Sequence, residues 1–211
     1  MPKVYNGDLT KMFDISGKKA MIFGGAGGFG EAIAAGYAAN GCSVCISSRS
    51  VEKLEAAKKK IEAAAAPGVK VMYVAGDAGD EEFVKKALAE VTGPEGLGGC
   101  DILVNAQGIN KKMWSWEIDT DFFEKMLHTN ITSLMLTCKY FGNWMKSNNV
   151  EGAEKVDEAS FEHGKCNPNQ GYGKIINFGS VRGIRAVANG GNGNVPYNTT
   201  KGAVEMLTKA Y

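Results

Sequence analysis

Ala20-Met21-Ile22-Phe23-Gly24-Gly25-Ala26-Gly27-Gly28-Phe29-Gly30-Glu31-Ala32-Ile33-Ala34-Ala35 decides the architecture of this chain. A short apolar run ends in a cluster of glycines, and a good helix opening follows at Glu31. Strand, turn, helix is the reading. Glycine there lets backbone turn sharply or approach a ligand. Free N–H groups at the start of such a helix favour an anion. A Walker-type phosphate loop is excluded, because no Gly-Lys-Ser/Thr follows the turn.

The same alternation continues outward. Ser43 to Ser47 reads as a second strand, and Ser50 as the N-cap of a helix from Val51 to Ala66 that Pro67 stops. Val69 to Val74 is a third strand, Glu81 to Val91 a helix, and Asp101 to Val104 a buried strand ending at Asn105. One long helix is expected from about Asp121 to Met145, then a fifth strand from Lys174 to Phe178, then a helix carrying Tyr197. Strands alternating with helices imply βαβ units, a parallel sheet and right-handed crossovers. The expectation is one Rossmann-like domain over residues 1–211, a doubly wound three-layer α/β/α fold. In such sheets ligands bind outside the carboxyl ends of the strands. The glycine turn, Arg49, Asp77, Asn105 and Ser180 all fall at or just past such ends.

Bulk properties narrow the class. Lys and Arg number 24 against 23 Asp and Glu, a net charge of +1, so nothing points to a nucleic-acid or membrane partner. The run Lys58-Lys59-Lys60 shares a helix with Val51, Leu54 and Ile61 at helical spacing, and reads as a solvated face. Glycine supplies 28 of 211 residues, about twice the usual ~7%, and gathers at strand ends and loops. Five cysteines without framework spacing and no apolar signal core suggest a soluble, cytoplasmic chain. Cys42 and Cys45 lie three apart on a strand and should face opposite sides, so they form no redox pair. His163-Gly164-Lys165-Cys166 offers too few ligands for a metal, and no metal is expected.

Tyr197 and Lys201 stand four residues apart, on one face of their helix. An ammonium beside a phenol favours the phenolate and makes the phenol a usable acid or base. Arg49 follows the second strand, where an acidic residue would pair with an unmodified ribose. Ser48 there is neutral and Arg49 offers a fork for a phosphate, which favours NADP(H) over NAD(H).

Taken together and in this order, these residues resemble the classical short-chain dehydrogenase/reductase family over Phe13 to Tyr211. Gly24, Gly28 and Gly30 match its cofactor-loop glycines, with Phe23 where threonine is usual and Phe29 inside the turn. Asp77, with Ala78 beside it, matches the acidic residue near the adenine. Asn105-Ala106-Gln107-Gly108 resembles the family's Asn-Asn-Ala-Gly motif with the second Asn lost, which makes Asn105, Ala106 and Gly108 cofactor contacts. Asn130, Ser180, Tyr197 and Lys201 match its catalytic tetrad. The resemblance implies hydride transfer between a nicotinamide cofactor and a carbonyl or secondary alcohol. Tyr197 would exchange the proton and Ser180 would hold the oxygen. Lys201 would tune Tyr197 and bind the cofactor ribose, and Asn130 would hold a relay water. Arg182, Arg185, Lys111 and Lys112 hint at an acidic or polyhydroxylated substrate, nearest to gluconate 5-dehydrogenase-like members. Trp114 and Trp116 are candidate pocket walls or simple packing residues.

Three departures qualify that expectation. Residues 147–173 are polar and longer than the family's usual connection, a surface insertion opposite the active site. Val187 to Pro196 is expanded at the active-site edge. The family continues past the Tyr197 helix into further strands, a substrate lid and commonly a homo-oligomer interface, and this sequence stops at Tyr211. The alternative expectation is therefore a truncated, catalytically inactive nucleotide-binding remnant of the same family.

Overall fold

Short runs of apolar and β-branched residues form five parallel strands in a computed structural model that describes residues 13–112, 115–148, 173–185 and 194–211. The strands are β1 (Lys19–Phe23), β2 (Ser43–Ser48), β3 (Val71–Ala75), β4 (Ile102–Asn105) and β5 (Lys174–Asn177). Six α-helices alternate with them: α1 (Gly28–Ala39), α2 (Val51–Ala64), α3 (Glu81–Thr92), α4 (Thr120–Leu127), α5 (Ser133–Asn148) and α6 (Val195–Ala210). The spatial order is β3-β2-β1-β4-β5, with every pair parallel. This is the Rossmann-like α/β sheet expected from the alternation.

Both faces of the sheet are covered, which is why the central strands are apolar without alternation. On one face Ala34 and Ala38 of α1 and Leu54 and Ile61 of α2 close over Ile22, Ile46 and Val104. On the other, Val84 and Val91 of α3 and Leu134 and Phe141 of α5 close over Met21, Phe23 and Leu103. The Phe23 and Phe141 rings meet edge to face at 5.6 Å, an arrangement that suits the aromatic quadrupole. Ser50 caps α2 by accepting from Lys53 N, as its position before the helix predicts.

Register fixes where a ligand can sit. Phe23 lies opposite both Ser47 and Asn105, Ser48 opposite Ala75, and Asn105 opposite Asn177. All five carboxyl ends therefore form one edge. β1 sits between β2 and β4, so the chain reverses direction across the sheet there and opens a crevice above β1.

Two expectations need correction. The single helix from Asp121 to Met145 is interrupted: a π-helical turn over His128–Thr132 separates α4 from α5. Such turns insert an extra residue without any proline or glycine signal, so periodicity could not reveal it. The third strand starts at Val71 rather than Val69, because Gly68 (φ +83°) and the Val69 N to Ala66 O bond first complete a turn. Residues 149–172 and 186–193, and with them most of the two expanded segments and the His163–Cys166 stretch, lie outside the described residues. Among the described residues β5 pairs only with β4, and no helix is long and apolar enough to cross a membrane.

Candidate active site

The turn between β1 and α1 is shaped by contacts that only hydrogen can make. A Cβ on Gly24, whose φ is +75°, would fall 2.6 Å from Gln107 N. A Cβ on Gly30 would fall 2.3 Å from Gly24 O. Gly27 caps α1 without a side-chain hydrogen bond, so the first turn of the helix keeps donors and a partial positive charge for an anion. Glu31 carries the one acidic charge in that turn and pairs with Lys60 at 2.9 Å. The cradle fits a pyrophosphate.

Above this turn lies a cavity of about 290 Å³ lined by Gly24, Arg49, Asp77, Ala78, Ala106 and Gly108, among others. Six of the residues singled out in the sequence as cofactor contacts thus line one cavity. Arg49 is exposed at its rim, and no carboxylate stands at the end of β2. Asp77 accepts from Gly79 N at 2.9 Å and faces His128 Nε2 at 3.9 Å. Of the remaining six, Tyr197 and Lys201, which the resemblance also makes cofactor contacts, stand on α6, and the other four sit elsewhere. Gly30 packs against Gly24, and Gly28 adopts a φ of +47° with open space where a Cβ would stand. Phe29 is 74% exposed, its ring 5.7 Å from that of Phe178. Asn105 is buried, with its carboxamide spent inside the fold: it donates to Asn177 Oδ1 (2.9 Å) and accepts from Thr137 Oγ1 (2.8 Å). Its side chain ties β4 to β5 and α5, which leaves only its backbone for a ligand.

The four residues that match the resembled tetrad lie on α6 and the elements around it. Lys201 is buried, and its ammonium donates to Phe178 O at the end of β5. The same nitrogen lies 5.7 Å from the centre of the Tyr197 ring. Burial pushes the Lys201 pKa below the ordinary lysine value, since a charge removed from water without a carboxylate partner is disfavoured. Asn130 occupies the π-turn and is buried. Its oxygen accepts from Ile109 N (2.8 Å), and its nitrogen donates to Ile109 O (3.0 Å) and Thr200 Oγ1 (3.0 Å). Asn130 therefore joins the loop after β4 to α6. Ser180 caps a 3-10 turn over Val181–Gly183 by accepting from Arg182 N. That turn presses on α6, because a Cβ on Gly183 would fall 2.5 Å from Lys201 O.

Other candidates separate. Arg185 is exposed and Arg182 half-buried; Lys111 lies over the Phe122 ring at 5.2 Å. Trp116 is exposed, and Trp114 lies outside the described residues. Cys42 and Cys45 do fall in the cores on opposite sheet faces. The sequence reading missed Gln107, Thr129 and Ser133, which also line the cavity. Thr129 sits in the unforeseen π-turn and Ser133 opens the helix after it, so their direction was not readable. For Gln107 the signal was its departure from the resembled motif.

Residues 18–211 match the family model described as short chain dehydrogenase. The chain is 29% identical over 198 residues to a gluconate 5-dehydrogenase of Gluconobacter oxydans, covering 94% of this chain and 65% of that protein. It is 31% identical over 144 residues to a glucose 1-dehydrogenase of the same organism, covering 68% of this chain and 53% of that protein. The chain thus spans less than two thirds of the length of either relative. Its structure is similar to that of a short-chain type dehydrogenase/reductase from Mycobacterium marinum, with a TM-score of 0.78 and 28% identity over 97% of this chain and 71% of that one.

Proposed function

The chain belongs to the short-chain dehydrogenase family, and from that premise we propose that it is the catalytic core of an NADP(H)-dependent oxidoreductase. In this reading it moves hydride between the nicotinamide and a carbonyl or secondary alcohol. The observation that carries the proposal is the pairing on α6, the buried Lys201 ammonium beside the Tyr197 ring, in a chain that also holds a cavity lined by the glycine turn.

The nicotinamide, when bound, supplies or takes up the hydride. Every proton step belongs to this chain. Tyr197 gives its phenolic proton to the carbonyl oxygen as the carbon is reduced, so the product is a neutral alcohol and the residue is left as phenolate. Lys201 stabilises that phenolate through its charge, at short range in a low-dielectric site. Ser180 offers its hydroxyl to the reacting oxygen before and during transfer. The Asn130 carboxamide is already engaged with Ile109 and Thr200, so a relay water would be taken up by main-chain groups of the opened π-turn. The reverse direction runs the same steps backwards.

Arg49 would bind the 2′-phosphate that separates NADP(H) from NAD(H), since only neutral Ser47 and Ser48 precede it. A sugar acid or polyol substrate is supported by Arg182 and Arg185 next to Ser180 and by the names of the two Gluconobacter relatives. Titration of the protein with NADPH and NADH, following quenching of tryptophan fluorescence, tests the cofactor half. NADPH should bind at least about tenfold more tightly, the worth of a charge-assisted phosphate contact. Arg49→Ala should abolish the difference. Equal affinity for both cofactors in the parent would remove the assignment to NADP(H). A second reading is cofactor binding without turnover. Saturable binding with no oxidation of NADPH across a broad panel of carbonyl compounds would select it.

A further inference from the structure

Tyr197 stands in the first turn of α6, and helix ends fray. The N-cap, Asn194, makes no side-chain cap bond and donates to Asn110 Oδ1 instead. The tie that reaches Tyr197 itself comes from the π-turn. Asn130 Nδ2 donates to Thr200 Oγ1 at 3.0 Å, and Thr200 Oγ1 donates to Tyr197 O at 2.9 Å. Thr200 and Asn130 are both buried, so water does not compete for these groups. A threonine hydroxyl has one hydrogen. With that hydrogen on Tyr197 O, Thr200 can only accept from Asn130. The Asn130 amide is equally committed, since its oxygen accepts from Ile109 N and its nitrogen also donates to Ile109 O. A flipped amide would set oxygen against Ile109 O and is excluded. One string of hydrogen bonds thus runs from Ile109 through the π-turn to the main chain of Tyr197. A second threonine on α6 is built in the same way: Thr208 Oγ1 donates to Val204 O at 2.7 Å and accepts from Asn177 Nδ2 at 3.0 Å. That bond ties the far end of the helix to β5.

We propose that Thr200 is a positioning residue for proton transfer: its hydroxyl, held by Asn130, fixes the main chain of Tyr197 and so the reach of the phenol. The inference rests on the oxidoreductase reading given above. Thr200 touches no reacting atom in that reading, and its link to the chemistry is Tyr197 O. Without the hydroxyl that carbonyl loses its support from the π-turn, and one Asn130 N–H is left buried without an acceptor. The Lys201 ammonium is anchored separately, on Phe178 O, so a displaced Tyr197 parts from it instead of carrying it along. A reacting group misplaced by about 1 Å costs about 10² in rate. Thr208 holds the same helix by the same kind of bond but reaches only Val204, which takes no part in the chemistry. The two threonines therefore separate positioning of the acid from plain support of α6.

Steady-state oxidation of NADPH by the whole chain tests this, with 5-ketogluconate and 4-nitrobenzaldehyde as carbonyl probes. The parent is compared with Thr200→Val, Thr200→Ser and Thr208→Val. Val keeps the shape of threonine and removes the hydroxyl; Thr200→Ala serves if Val does not fold. Thr200→Val should lower kcat about ten- to hundredfold while KM for NADPH stays within about twofold of the parent. Thr200→Ser should recover kcat to within about threefold, because the hydroxyl is back. Thr208→Val loses the same kind of bond and should leave kcat within about twofold even where it lowers Tm. An unchanged kcat in Thr200→Val, no recovery in Thr200→Ser, or an equal loss in Thr208→Val would overturn the assignment while leaving the oxidoreductase reading intact. A parent that turns over neither probe nor any compound of a broad carbonyl panel would defeat that reading and this inference with it.

Discussion

The two halves of the sheet are built to different standards. In the half that carries the glycine turn, Met21, Ile22, Val44, Cys45 and Ile46 are fully buried, and the cradle is made of backbone held by close contacts. In the half that carries the tetrad, β5 alternates, Lys174 is exposed and Ile176 is 40% exposed. Val181 and Ile184, just past Ser180, are exposed as well. The difference separates two tasks. A phosphate is held by donors that any glycine-bearing turn can present, so this half can be complete in itself. The proposed reacting end depends on side chains supported by β5, which among the described residues pairs only with β4. Binding should therefore be more robust than turnover.

The largest effect should come from Tyr197→Phe. Loss of the phenolic proton donor should lower the turnover number about 10²- to 10⁴-fold, the usual worth of a positioned acid, while NADPH affinity stays at the parent level. Stopped-flow oxidation of NADPH gives the first quantity and fluorescence titration the second. A variant that turned over like the parent would remove Tyr197 from the chemistry and break the division of labour between the halves.

Stability offers the next contrast. Phe141 is fully buried against Phe23, so Phe141→Ala should cost about 3–5 kcal/mol, the range for a large aromatic deleted from a core. Ile176 is partly solvated on the edge strand, and Ile176→Ala should cost less than about 1 kcal/mol, because little burial is lost. Urea unfolding of both variants measures the gap. Equal costs would show that the outer edge of β5 is covered in solution and that the two halves are equally well packed.

How far these differences could be read in advance depends on the kind of signal. The parallel sheet followed from alternation, because apolar runs such as Ile102-Leu103-Val104 suit a strand buried on both faces, whereas the order of the strands across it did not. The cradle was legible from Gly24 and Gly30, whose lack of a side chain is itself the structural requirement. Asn105 was read only in part, since a polar residue at a strand end looks the same whether it faces a ligand or ties strands together. Asn130 was read on an unbroken helix, whereas it lies in a π-turn. A π-turn leaves no mark in composition, and it changes which neighbours face the cavity. That is why Thr129 and Ser133 were missed.

Lys201 sharpens the comparison with a pH dependence. Burial lowers its pKa from the ordinary value of 10.5. Between the lowered value and 10.5 the unfolded chain binds more protons than the folded one, so stability rises with pH across that window. The favourable contribution is fully present above 10.5 and is lost as pH falls through the folded value. The buried thiols, raised above their ordinary 9.0, act in the opposite sense and are common to the parent and Lys201→Met. The readout is therefore a difference: the parent's urea midpoint should gain on that of Lys201→Met between pH 8 and 10.5. A difference that stayed constant across that range would mean that the ammonium is better solvated than its position on α6 implies.

The smallest expected effect is a chemical silence in the well-closed half. Cys42 and Cys45 frame the start of β2 and lie on opposite faces of the sheet, each in its own core. Burial pushes the Cys42 thiol up to about 12 and raises that of Cys45 as well. The thiolate is the species that reacts with alkylating agents, so neither should label at pH 8 in the native protein, and both should label after unfolding. Cys138 belongs to the other half: its thiol contacts Asn105 and Asn177 across β4 and β5, and burial raises it to about 11. If the tetrad half opens locally more often than the cradle half, Cys138 should label first when urea is raised towards the midpoint, with Cys42 and Cys45 following only on global unfolding. Peptide mapping of iodoacetamide adducts along a urea series reads that order directly. Simultaneous labelling of all three would show one cooperative unit, and the contrast between the halves would then belong to exposed surface alone.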